Sequence, residues 1–191
     1  MSRSKKIVVV FHSGYGHTKR LAEAVAEGAG GTLLAIDAEG QLPEGGWEQL
    51  AAADAIVMGS PTYMGSVSWQ FKKWADASSK VWAAQGWKDK LFAGFTNSAT
   101  MNGDKLSTLH YLFTLAMQHS GVWVGTGLMP SNRKSAQRND LNYVGSFAGA
   151  MAQTPSDAGV DEIPPGDLAT ARAFGDRVAT IAAGFQLDRG A

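Results

Sequence analysis

The opening run Lys5-Lys6-Ile7-Val8-Val9-Val10-Phe11, followed at once by "HSGYGHT" and an amphipathic segment, narrows the possible folds more than any other feature. The run from Ile7 to Phe11 is apolar and rich in valine, so a strand here has no polar side to offer water and is buried on both faces. From Thr18 to Gly28, Leu21, Ala24, Val25 and Gly28 recur at helical spacing, while Lys19, Arg20, Glu23 and Glu27 take the other face. Strand, glycine loop and helix in that order predict a parallel βα unit.

The pattern recurs. Thr32–Asp37, Ala55–Ser60, Leu91–Thr96 and Gly121–Gly127 read as further strands, the third preceded by a short helical "WEQLAAAD". Helical periodicity returns in Phe71, Trp74, Ala75, Ser78, Val81 and Trp82, and again in Leu106, Leu109, His110, Phe113, Ala116 and Met117. A last helix is expected from about Asp167 to Phe185, after an irregular stretch from Met129 to Pro165. Five strands alternating with helices predict one domain over residues 5–187, a doubly wound parallel sheet with helices on both faces. Its ligands bind beyond the carboxyl ends of the strands.

Charge and cysteine content exclude several functions. Lys plus Arg and Asp plus Glu number 17 each, so no global field favours nucleic acid or an anionic membrane. There is no cysteine, hence no disulfide, thiolate metal site or cysteine nucleophile, and no metal is expected. The apolar run after Lys6 stops too soon for an export signal or a membrane span, and a cytoplasmic protein is the simplest expectation.

Three loops fall at the ligand edge. Ser13-Gly14-Tyr15-Gly16-His17-Thr18 offers hydroxyls, glycines and the N–H groups of a helix start, which suit one phosphate. It lacks the Gly-Lys-Ser/Thr ending of a Walker loop, and Lys19 stands where a dinucleotide fingerprint has its third glycine. Asp37 sits where a ribose-binding acid would, but is equally a turn residue. Pro61-Thr62-Tyr63-Met64-Gly65 and Asn97-Ser98-Ala99-Thr100-Met101-Asn102 follow the third and fourth strands and can offer donors and acceptors to a flat polar ring. A phosphate site beside two such loops suits FMN.

The stretches "SGYGHT", "GSPTYMGS", "VWAAQGWKDKLFAGFTNSATMNGD" and "NYVGSFAGA" resemble the flavodoxin-like, FMN-dependent NAD(P)H:quinone oxidoreductases of the WrbA type, within the wider NADPH-dependent FMN reductase group. The resemblance implies a flavodoxin-like fold with sheet order 2-1-3-4-5, FMN as cofactor, NADH or NADPH as reductant, and a quinone as acceptor. It further implies that Ser13–Thr18 hold the phosphate, Thr62–Met64 border the isoalloxazine, and Asn97–Asn102 contact ring and ribityl. Tyr15 then matches a nicotinamide-nucleotide contact, Trp82 a quinone-site tryptophan and, in a longer local segment, His119 a substrate contact. Trp82 fits a core position as readily, and His119 fits a helix C-terminal cap. A homodimer or homotetramer is implied, although the connector Ala38–Gly46 is shorter than the insertion family members use to build a tetramer. Flavin N5 carries the chemistry, so no catalytic side chain is expected. A single-electron flavodoxin and a flavin or azo reductase are the alternatives on the same fold.

Overall fold

Ile7–Phe11 forms strand β1, and its five side chains are all buried, alternating between the two sides of a sheet. Ile7, Val9 and Phe11 join one core cluster, and Val8 and Val10 join the other. The computed structural model describes residues 4–187. After β1 come α1 (His17–Ala29), β2 (Thr32–Ala35), α2 (Gly46–Ala52), β3 (Ala55–Tyr63), β4 (Ser66–Val67), α3 (Trp69–Ala77) and α4 (Ser79–Ala83). Then follow β5 (Leu91–Ser98), α5 (Lys105–Gln118), β6 (Val122–Trp123), β7 (Ala150–Gln153) and α6 (Pro165–Gly184).

The sheet order is β2-β1-β3-β5-β6, all parallel, with β4 folded back antiparallel on β3. With β4 set aside this is the expected 2-1-3-4-5 order of a flavodoxin-like fold. Helices α1 and α6 cover one face, packing Leu21, Val25, Phe174 and Val178 on the sheet. The other face receives Leu50 of α2, Phe71 and Trp74 of α3, and Leu109 and Leu112 of α5.

Two expectations are corrected. Phe71–Trp82 is not one helix, because the chain breaks at Ser78, whose hydroxyl donates to the Ala75 carbonyl at 2.6 Å and competes with helix continuation. The fifth sheet position is not Gly121–Gly127 alone. Strand β6 pairs only with Leu91 and Phe92, the chain then leaves the sheet, and β7 returns to pair with Phe95–Ser98. Bonds from Thr126 N to Phe147 O (3.0 Å) and Trp123 Nε1 to Ala148 O (2.7 Å) close the neck of this excursion. The stretch from Met129 to Pro165, expected to be irregular, therefore contains a buried strand.

Helices α1 and α6 meet so closely that a Cβ on Gly28 would collide with the Arg172 carbonyl, and one on Gly175 with the Val25 carbonyl. Backbone cannot yield as a flexible side chain does. Gly175→Ala is therefore expected to destabilise the protein by about 1–3 kcal/mol through overpacking. That outweighs the roughly 0.5–1 kcal/mol helical advantage of alanine over glycine, and a lower urea midpoint would record it.

Candidate functional site

Strand β1 ends at the first of three loops. His12 is buried, and its Nδ1 lies 2.8 Å from Ser68 Oγ, the N-cap of α3, so it ties β1 to the neighbouring unit. Ser13 Oγ accepts from Gly16 N at 3.1 Å, and Gly16 takes φ 92°, turning the chain into α1. The first intrahelical bond runs from Arg20 N to Gly16 O at 3.0 Å. The N–H groups of His17, Thr18 and Lys19 therefore project from the helix end with no side-chain cap and no acidic residue in the first turn. Such an end favours an anion by roughly 0.3–1 kcal/mol from the helix dipole, besides direct hydrogen bonds.

The glycines of this loop make room for specific neighbours. A Cβ on Gly14 would stand 2.6 Å from Tyr63 Oη, and one on Gly16 2.7 Å from Val160 Cγ2. Val160 follows β7 within the Met129–Pro165 stretch, where sequence reading singled out no individual site residue. His17 Nε2 lies 3.0 Å from the Ala158 carbonyl and must donate to it, so the ring fastens that segment over the loop.

The second loop is mostly strand. Pairing of β3 with β5 continues through Ser60↔Thr96 and Pro61↔Asn97, so Pro61, Thr62 and Tyr63 lie in β3, and Asn97 and Ser98 in β5. The turn itself is Met64 and Gly65, both at positive φ, with Met64 fully exposed. Thr62 Oγ1 lies 2.8 Å from both Thr96 Oγ1 and Thr108 Oγ1. Its hydroxyl is thus committed inside the protein, leaving its backbone to the cleft. Tyr15 and Tyr63 meet edge to face with centroids 6.2 Å apart, and burial followed by the charge of Tyr15 raises the Tyr63 pKa above 10.0.

In the third loop, Asn97 Oδ1 accepts from Thr154 Oγ1 at 3.1 Å, and Gln153 Nε2 donates to the Ala99 carbonyl at 2.8 Å. Thr100, Met101 and Asn102 complete a tight turn whose shape depends on Lys105 at the start of α5, which sequence reading also missed. Lys105 Nζ donates to Thr100 O (2.7 Å), Met101 O (2.9 Å) and Ser98 Oγ (2.9 Å).

Between the loops lies a cleft of ≈ 340 Å³, walled by Tyr15, Thr18, Tyr63 and Ser98, with Thr154 and Ser156 added from the segment after β7. That volume is within the usual range of about 300–1,000 Å³ for small-molecule sites. A larger groove of ≈ 850 Å³ lies at the opposite end of the sheet, among Ala51–Asp54, Lys88–Leu91 and Phe185–Leu187. It is open and faces the amino ends of the strands, where doubly wound sheets do not bind ligands.

Of the three loops, Ser13, Gly14, Gly16, Met64, Gly65 and Thr100–Asn102 do not line the cleft, and two further expected site residues lie away from the loops altogether. Trp82 lies in α4, at the amino end of the sheet, half-exposed and remote from the three loops. His119 lies at the same end, 2 % exposed, with its ring 4.5 Å from that of Trp87. Because Ser78 Oγ donates to Ala75 O, His119 Nε2 donates to Ser78 Oγ at 2.9 Å, and its Nδ1 has no partner among the described residues. Burial lowers its pKa below 6.5, so it is a neutral core residue, neither a charged helix cap nor a substrate contact of this protomer. Asp37 Oδ1 accepts from Glu39 N and Gln41 N at 2.9 and 2.8 Å, the bonding of a turn residue. Among the described residues no cluster of His, Asp and Glu could hold a metal.

A parallel sheet with a helix-end anion site and two uncharged loops at its switch point defines a flavodoxin-like, FMN-binding protein. Residues 45–133 match the NADPH-dependent FMN reductase family. Flavodoxin FldP of Pseudomonas aeruginosa (strain UCBPP-PA14) is 54% identical over 176 residues, which cover 92% of this chain and 96% of that one. An NAD(P)H dehydrogenase (quinone) of Geotalea uraniireducens (strain Rf4) is 35% identical, covering 93% and 98%. The crystal structure of a flavodoxin, WrbA-like protein from Agrobacterium tumefaciens superposes with a TM-score of 0.78 at 55% identity, covering 96% of this chain and all of that one. The chain belongs to the flavodoxin-like FMN reductase family of the WrbA type, with FMN as cofactor.

Two outcomes follow. Gly16→Leu places a side chain at positive φ against Val160 and is expected to weaken FMN binding by more than about tenfold while the far-ultraviolet circular dichroism is retained; unchanged affinity would count against the phosphate loop. His12 and His119 both have pKa values lowered by burial. An imidazole so lowered binds fewer protons than its unfolded counterpart as pH falls below 6.5, so stability present above that value is lost on acidification. Unfolding free energy should fall by up to about 1.4 kcal/mol per pH unit for each histidine, with a shallower slope in His119→Asn.

Proposed function

We propose that the protein transfers two electrons from NAD(P)H, through FMN, to a quinone by a ping-pong mechanism. When bound, FMN supplies the hydride chemistry. The chain contributes the rest. The N–H groups at the start of α1 and the Ser13–Thr18 loop hold the phosphate, the backbone of Thr62–Met64 borders the ring, and Asn97–Asn102 contact ring and ribityl. Tyr15 gives the flat wall on which the nicotinamide, and then the quinone, stacks.

The observation that carries this reading is the chemistry of the rim. Residues 13–18, 61–68 and 97–103 contain no Asp, Glu, Lys or Arg, while Tyr15, Tyr63, Met64 and Met101 are exposed there. An uncharged aromatic rim suits a neutral planar acceptor better than a basic protein partner, which would be steered by an acidic field. A one-electron carrier is the second reading, favoured by the name of the Pseudomonas relative and by Asp157, Asp161 and Glu162 in the segment beside the phosphate loop. Assembly as a homodimer or homotetramer belongs to the first reading, because Trp82, at the far end of its own sheet, can serve only a neighbour's cleft.

Anaerobic reconstitution with FMN separates the two. Bleaching of the flavin by NADH or NADPH, followed by recovery on adding a benzoquinone, is the expected result. A flavin that neither nicotinamide reduces, but a one-electron donor does, would favour the carrier.

A further inference from the structure

Lys105 is fully buried, a rare state for a lysine unless its charge is met. Its three ammonium hydrogens have three acceptors, Ser98 Oγ at the end of β5 and Thr100 O and Met101 O in the loop that joins β5 to α5. None of these acceptors is charged. The neighbouring acid Asp167 is already gripped by Arg138, Nη1 to Oδ1 at 2.7 Å and Nη2 to Oδ2 at 2.6 Å, and it also accepts from Gln153 N at 2.9 Å. Asp104 precedes Lys105 in the chain but makes no side-chain cap to α5. Lys105 is therefore a buried cation held by three uncharged acceptors, and among the described residues no carboxylate accepts a hydrogen bond from it.

The bonds to Lys105 also set the loop's shape. In a trans peptide the N–H points opposite to the C=O. Drawing the carbonyls of Thr100 and Met101 toward Lys105 turns the N–H groups of Met101 and Asn102 the other way. Gly103, at φ 53°, leaves no room for a Cβ against Ser98 Oγ, so the chain is wrapped closely around the ammonium. Ser98 and Ala99 of the same loop line the cleft.

We propose that Lys105 is a positioning residue of the flavin site: it holds the loop from Ser98 to Asn102 in its binding shape and lends a positive charge that favours two-electron-reduced, anionic FMN over oxidised FMN. This rests on the FMN reading of the cleft. Burial, partly opposed by Asp167 and reinforced by Arg138, lowers the Lys105 pKa to about 8. The side chain is then charged at neutral pH and loses its proton as pH rises through about 8.

The test compares wild type, Lys105→Met and Lys105→Gln, reading oxidised-FMN affinity by fluorescence quenching and the two-electron midpoint potential by spectroelectrochemistry. Lys105→Met removes charge and donors. It is expected to bind oxidised FMN about tenfold more weakly and reduced FMN about a hundredfold, and the tenfold difference lowers the potential by about 30 mV. Lys105→Gln keeps two donors and loses the charge, so its potential should fall while its affinity for oxidised FMN falls less. Wild-type potential should show an inflection near pH 8, absent from free FMN, between neutral pH and about 9.5. Wild-type potential and affinity in both variants would overturn the inference and leave the FMN reading standing, whereas failure of the wild type to bind FMN would sink the reading first. If neither variant folds, the wild-type pH profile decides alone, and a profile parallel to that of free FMN overturns the proposal.

Discussion

The parallel pairing of β3 with β5 is the constraint on which the cleft depends. It runs from Ala55↔Leu91 to Pro61↔Asn97 without a break, and both strands are buried almost throughout. A parallel ladder places the carboxyl ends of its strands at one edge, so the loops after β1, β3 and β5 emerge side by side. The apolar faces above and below then lock the register, because a slip of one residue would turn Val57 and Met58 toward the wrong helices. Gly59 and Gly94 lie within this pair, where a Cβ would meet the rings of Phe95 and Trp123 respectively.

The split fifth strand extends the same logic. Strand β7 pairs with the outer half of β5, so Gln153 and Thr154 arrive beside the third loop, and the chain beyond them reaches back to the first. The Arg138–Asp167 pair ties the excursion to the start of α6, and Asp167 also accepts from the Gln153 backbone. One contiguous set of bonds thus joins an excursion from the sheet edge to the wall of the cleft. Electrostatically, the three loops carry no charged side chain over residues 13–18, 61–68 and 97–103, the dipole of α1 ends at the first, and the buried ammonium of Lys105 lies against the third.

Much of this was legible in the residues. The all-apolar Ile7–Phe11 demanded a central strand, and "SGYGHT" between it and an amphipathic helix marked the glycine turn into α1, because strand burial and helix starts are local consequences of sequence. Trp82 and His119 were assigned from family resemblance, which does not say at which end of its own sheet a residue lies, and both lie away from the cleft of their own chain. Thr62 was read as a ring contact, and its backbone remains one in the proposed function, but its hydroxyl bonds to Thr96 and Thr108, partners separated from it by 34 and 46 residues.

The sequence by itself determined the local units: which runs are strands, where glycine must turn the chain, that the loops are uncharged, and that no cysteine chemistry is available. Periodicity and turn residues act over a few residues, so one chain read alone carries that information. Tertiary structure alone decided that the fifth strand is assembled from two pieces, that Val160 closes on Gly16, and that the buried ammonium of Lys105 meets three uncharged acceptors at the end of β5 and in the loop after it. Those facts depend on packing between segments distant in the chain, where shape and desolvation, not spacing, select the partner.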